Sequence, residues 1–190
     1  RHDQISTRWN NHQNYLDHVK SLGKLLLLAR RLCEAGAGFV TVTTNFVWDF
    51  HADQNNATVE EGLRYVGAPF DHAVSAFLDD LESRGLSDRI LLVACGEMGR
   101  TPRINAKGGR DHWGKLAPLL LAGGGLGMGR VVGDSSPDGS EPARDPVTVA
   151  NLVTTILHVL LDPGQVRLTS GLPDEVVRLI AQNEPIRGLI

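Results

Sequence analysis

The apolar positions change period several times along the chain, and each change marks an element. From about residue 12 to 35, Leu16, Val19, Leu22, Leu26, Ala29 and Cys33 recur at spacings of three and four, which is one face of a helix. Gly36 stands where helices commonly stop, and Gly23 weakens the middle. Residues 38–44 are short, apolar and β-branched, and predict a buried strand. Thr58 with Glu61 three positions on is a capping box, so a helix is expected to about Arg84, kinked or restarted at Pro69. Phe70, Val74, Phe77, Leu78 and Leu81 form its inner face, with Asp79, Asp80 and Glu82 outside and Gly85 as the stop. Residues 89–95 give the strongest strand signal, and 116–122 a further one. The glycine run 123–129 reads as a tight turn, and 134–146 as surface loop. Thr148 caps a predicted helix through Leu161. A short helix is expected over 174–181, and the tail 185–190 is apolar enough to dock. Residues 1–11 read as a polar lead-in.

Helix, glycine turn and strand in succession form the αβ half of a parallel-sheet unit. The order of elements therefore predicts one α/β domain over residues 1–190, with a mostly parallel sheet. In such sheets ligands bind beyond the carboxyl ends of the strands. The unusual polar residues stand at those places. Asp49 and His51 follow the first strand, Glu97 follows the second, and Asp111 and His112 lie in the loop before the third.

Asp49 and His51 are two positions apart, so in extended backbone they point to one side. With Asp111, His112 and Glu97 they offer a mixed oxygen and nitrogen donor set, which suits Zn²⁺, Mn²⁺ or Fe, where an all-oxygen cage would suit Mg²⁺ or Ca²⁺. Arg100, Arg103 and Arg110 flank them, and guanidinium groups recognise phosphate or sulfate oxygens. Metal plus arginine points to hydrolysis of a small anionic ester. Simpler readings stand beside this one: Asp111 pairing with Arg110, His112 as a loop histidine, Glu97 as a cap. His2, His12, His18, His72 and His158 read as surface or helix-packing residues.

Composition narrows the field. A net charge of −3 without a Lys/Arg run gives no footprint for a nucleic-acid partner. No apolar run approaches the roughly 18 residues that suggest a membrane span. Cys33 and Cys95 form no CxxC pair and read as core thiols. The glycine run is not followed by a helix, so the dinucleotide fingerprint fails in context, and neither a P-loop nor a Gly-x-Ser-x-Gly elbow occurs. The chain opens without Met in polar sequence, as a processed product or excised fragment would.

Several segments carry a resemblance: Trp48-Asp49-x-His51, Gly96-Glu97-x-Gly99-Arg100-Thr101-Pro102, Gly109-Arg110-Asp111-His112-Trp113 and Pro185-Ile186-Arg187. In their order and spacing the chain resembles the sulfatase-like domain-of-unknown-function family DUF1501 of the alkaline phosphatase superfamily. It resembles the C-terminal half of a typical member. The resemblance implies a three-layer α/β/α fold, incomplete here on its N-terminal side, and a two-metal site. It implies that Asp49, His51 and His112 share one metal position, with Glu97 near the other and Asp111 as a ligand or a ligand's partner. The superfamily nucleophile comes from the N-terminal half, and no residue here matches it; nothing promotes Thr101 to that role. Phe50 fills the variable position of the Asp-x-His motif, and Met98 stands where an aromatic is common. The family's frequent twin-arginine signal implies export, and a truncated sheet edge invites a second copy.

Overall fold

The computed structural model describes residues 11–43, 48–166 and 168–190. The expected lead-in and residues 44–47 thus lie outside the described residues, apart from Asn11, as do the side chains of His12, Leu16, His18 and Val19. Helices precede and follow a run of strands that form small antiparallel sheets, an α/β arrangement in general. The chain divides into two compact units: residues 1–84 with 97–117, and residues 85–96 with 118–190.

In the first unit, helix α1 spans Asn11–Glu34. Leu22, Leu26 and Ala29 are buried, as the periodicity predicts. The α1 stripe packs on helix α3, Ala68–Ser83, whose Val74, Phe77 and Leu81 face inward. Arg30 crosses between these helices at only 4% exposure. Its Nε lies 2.6 Å from Asp80 Oδ2, and its Nη1 pairs with Glu34. Asp80 therefore does more than face solvent. Beside the Arg84 guanidinium, with Arg30 also near, its carboxyl is held below the usual carboxylate range.

The capping box at Thr58 forms as expected: Glu61 N–H donates to the Thr58 hydroxyl at 3.2 Å, and Thr58 N–H donates back to the Glu61 carboxylate. The helix it starts is broken. A short α2, Val59–Gly62, passes into a π-helical turn, Leu63–Gly67, before α3. Pro69 has no N–H for an i→i−4 bond, and the wider i→i+5 pattern precedes it.

The strand expected over 38–44 is absent from 38–43. Phe39 is 72% exposed there. β-propensity reports packing against neighbouring strands more than intrinsic backbone preference, and no described strand pairs with this segment. Gly36 does end α1, at φ +99.

In the second unit, β1 (Leu91–Cys95) pairs antiparallel with β4 (Leu119–Gly123), Leu91 opposite Gly123 and Cys95 opposite Leu119. Between them in sequence, and in the first unit, lie β2 (Gly99–Arg100) and β3 (His112–Trp113), also antiparallel. The loop expected over 134–146 contains a small hairpin, β5 (Asp134–Ser135) with β6 (Pro142–Arg144). All described pairings are antiparallel.

The glycine run is a turn, as expected. Gly123, Gly124 and Gly125 have φ of +84, +65 and +73, and a Cβ on Gly123 would stand 2.4 Å from the Ile90 carbonyl oxygen. Helix α4, Val149–Leu160, carries a capping box from Thr148 and Asn151. After a single turn, α5 (Pro163–Val166), comes α6, Asp174–Gln182, which packs on α4. The tail docks by two bonds. Ile186 N–H donates to the buried Thr155 hydroxyl at 2.8 Å, and Gly127 N–H to the Leu189 carbonyl at 2.8 Å.

Candidate metal centre

Phe50 anchors the site in the first unit. It is buried with Ala57 and Val66, its ring pressed so closely on Gly62 that a Cβ there would sit 2.2 Å from it. Trp48 meets Phe70 edge-on at 5.4 Å. In extended chain the neighbours of a buried side chain face the other way, and Asp49 and His51 are partly exposed. Directly after His51 the chain turns: Ala52 takes φ +57, uncommon for a residue with a Cβ. The Asp53 carboxylate accepts from the N–H groups of Asn55 (2.8 Å) and Asn56 (2.9 Å), which holds its carboxyl below the usual range.

The second limb is the loop from Thr101 to Asp111 between β2 and β3. Register places Arg100 opposite His112. Thr101 N–H donates to the Asp111 carbonyl at 2.9 Å, and Asp111 N–H donates to the Thr101 hydroxyl at 3.1 Å. Three further bonds tie this limb to the first. Arg110 N–H donates to the Phe50 carbonyl (2.7 Å), Asn105 Nδ2 to the His51 carbonyl (3.0 Å), and Val59 N–H to the Gly108 carbonyl (2.9 Å). Gly109 lets the backbones touch, since a Cβ there would meet His51 carbonyl carbon at 2.2 Å.

These limbs bring Asp49, His51 and His112 together. One ligand atom from each lies within 4.8 Å of the other two. The His51 and His112 rings meet edge to face at 4.6 Å between centroids. Asp49 Oδ1 is the common point: it faces His51 Nδ1, lies 3.5 Å from His112 Nε2 and accepts from Arg100 Nη1 at 2.7 Å. Although His51 Nδ1 is close to Asp49, it lacks hydrogen-bond geometry and is a buried nitrogen without a hydrogen-bond partner among the described residues. A buried imidazole nitrogen beside a carboxylate oxygen, with a second imidazole alongside, is the mixed nitrogen and oxygen donor set that a divalent cation of the Zn²⁺ or Mn²⁺ kind takes.

The other expected residues stand around this group. Glu97 is 73% exposed, and its Oε1 lies 4.0 Å from Arg100 Nη2. Asp111 is outside the three-residue group, its carboxylate accepting from Asn105 Nδ2 at 3.2 Å. Arg110 donates from Nη1 to the Thr101 carbonyl at 3.3 Å, while its buried Nε has no hydrogen-bond partner among the described residues. Arg103 is exposed. Asn105 escaped the sequence reading. Its only signal was an Asn followed by the Gly108-Gly109 pair, a combination typical of tight loops.

An α/β chain that sets Asp49, His51 and His112 about one point is defined here by a candidate metal centre. It belongs to the family described as Protein of unknown function (DUF1501), which matches residues 6–190. No curated protein and no solved structure matches it.

Proposed function

We propose that this chain holds a divalent metal, zinc or manganese, through Asp49, His51 and His112, in a hydrolase of phosphate or sulfate esters. The observation that carries the reading is the convergence of three ligand atoms within 4.8 Å, with His51 Nδ1 buried and otherwise unpartnered. A metal held there would polarise an ester oxygen or lower the pKa of a bound water. Arg100, Arg103 and Arg110 supply the positive charge that an anionic ester needs. Glu97, 4.0 Å from Arg100 Nη2, would serve the second metal position, and Asp111, bonded to Asn105, would act as a ligand or a ligand's partner.

The reading extends to the resemblance. It takes the chain as part of a sulfatase-like, three-layer α/β/α fold with a mostly parallel sheet, from an exported protein. No nucleic acid takes part. The outer edges of β1 and β4 have no strand partner among the described residues, and a further strand or a second copy would add there. No described helix is long and apolar enough to cross a membrane.

A non-catalytic, surface-associated metal-binding module is the second reading. It keeps the same three ligands and needs no nucleophile, and the Thr101 hydroxyl beside the motif arginine supplies none: it donates to the Arg103 carbonyl at 2.9 Å and accepts from Asp111 N–H. It is engaged on both sides and is not poised as a nucleophile.

Elemental analysis of the purified protein tests the metal site. A stoichiometric transition metal is expected, lost in the His51→Ala, His112→Ala double variant. A metal-free wild type, or a double variant that keeps its metal, overturns the reading. Turnover of aryl phosphate or aryl sulfate by the metal-loaded full-length protein then separates the hydrolase from the binding module.

A further inference from the structure

The loop that presents His112 to His51 is gripped by one side chain outside the donor set. Asn105 Nδ2 donates to the His51 carbonyl at 3.0 Å and to Asp111 Oδ1 at 3.2 Å. Its Oδ1 accepts from Lys107 N–H at 3.0 Å and Gly109 N–H at 2.9 Å. Two donors and two acceptor sites are all an amide side chain has, and here all four are used. The orientation is fixed by chemistry. Turning the amide over would set its oxygen against the His51 carbonyl and the Asp111 carboxylate, and its NH₂ against two N–H groups.

What Asn105 touches gives the arrangement its meaning. One bond holds the backbone of His51. Another holds the side chain of Asp111, the residue just before His112. Its own N–H donates to the Gly109 carbonyl at 2.7 Å, which keeps Gly109 where only a missing Cβ allows contact with His51. The two imidazoles sit on separate limbs 61 positions apart, and the Asn105 amide is bonded to both limbs at once.

Resting on the metal-site reading above, we propose that Asn105 is the positioning residue that sets His51 against His112, and so tunes the site's affinity for a divalent ion. It touches neither metal nor substrate. It acts through the His51 carbonyl, and a donor lost there lets the His51 limb move away from the His112 limb.

The test must separate this role from mere support of the turn. Asn105→Ala removes every bond and risks the loop itself. The pair Asn105→Asp with Asp111→Asn is sharper. It keeps the acceptor for Lys107 and Gly109, restores a bond between positions 105 and 111, leaves net charge unchanged, and replaces the donor to His51 with an acceptor oxygen; Asp111→Asn alone, which leaves that donor in place, is the control for loss of the Asp111 carboxylate, and the pair must fall below it. Two readouts apply to wild type, control and pair: the proton Overhauser contact between the His51 and His112 rings without metal, and Zn²⁺ affinity by chelator competition. Far-ultraviolet circular dichroism of the pair is expected to match wild type. The ring contact is expected to vanish, and Zn²⁺ affinity to fall on the order of 10–100-fold, the usual cost of losing a ligand's hydrogen-bonded support. A pair that keeps the ring contact and wild-type affinity overturns the proposal. A wild type that takes up no Zn²⁺ overturns the metal reading and the tuning role with it, while loss of the ring contact still upholds Asn105 as the residue that sets the two imidazoles.

Discussion

Gly109→Ala tests how the two limbs of the site are joined. A Cβ at this position would lie 2.2 Å from the His51 carbonyl carbon, 2.3 Å from its oxygen and 2.7 Å from Ala52 N. Carbon atoms in contact normally sit at about 3.5 Å or more, so the backbones must part by roughly 1 Å. All three obstacles are main chain, and no side chain can swing aside. Parting strains the bonds from Arg110 N–H to Phe50 (2.7 Å) and from Asn105 Nδ2 to His51 (3.0 Å). At about 1 kcal/mol for each of the two bonds, plus about 1–3 kcal/mol for forced overpacking, the loss comes to roughly 3–5 kcal/mol. Gly114→Ala is the matched control, because no described residue lies within 4 Å of its Cβ position; it should stay within about 0.5 kcal/mol of wild type. The assay is urea unfolding followed by circular dichroism, where a loss of this size moves the midpoint on the order of 1 M. Metal affinity measured on the same samples should fall for Gly109→Ala and hold for Gly114→Ala. Equal midpoints for Gly109→Ala and wild type would refute the claim that the limbs touch at this glycine.

Two further outcomes are expected. Thr155→Val removes the acceptor for Ile186 N–H at 2.8 Å and leaves that buried donor unsatisfied, at a cost of about 1–3 kcal/mol; faster hydrogen exchange at Ile186 with no change at the metal site would confirm it. Asp138 is pushed from 3.8 down to about 2 by hydrogen bonds from the Ser136 and Ser140 hydroxyls. A depressed carboxyl contributes order that is present above its unfolded value and lost as pH falls through its folded one, and the amide shift of Ser140, which reports the folded state, should titrate with a midpoint near pH 2 instead of 3.8. Ser136→Ala should raise that midpoint, and an unmoved midpoint would exclude the hydroxyl as the cause.

Much of the chain was legible because its determinants are local. The α1 stripe, the capping boxes at Thr58 and Thr148, the stops at Gly36 and Gly85 and the glycine turn at 123–125 each depend on residues within a few positions of one another. Asp49, His51 and His112 were singled out the same way, from residue types that core-building rarely places together. The segment 38–43 was not legible. A strand exists only through the backbone beside it, and β-branched composition does not say whether that backbone is present.

The sequence by itself determined which residues could serve a metal, since donor chemistry belongs to the side chain. Tertiary structure decided which of them meet. Asp49 and His51 join His112 because Phe50 packs on Gly62, Gly109 admits the His51 backbone and the β2–β3 pair sets His112 opposite Arg100, which bonds Asp49. Glu97 and Asp111 have the same chemistry but stand outside the three-residue group. Asn105 entered only through its four hydrogen bonds, because an asparagine in a loop carries no mark of what lies across from it until the chain has folded.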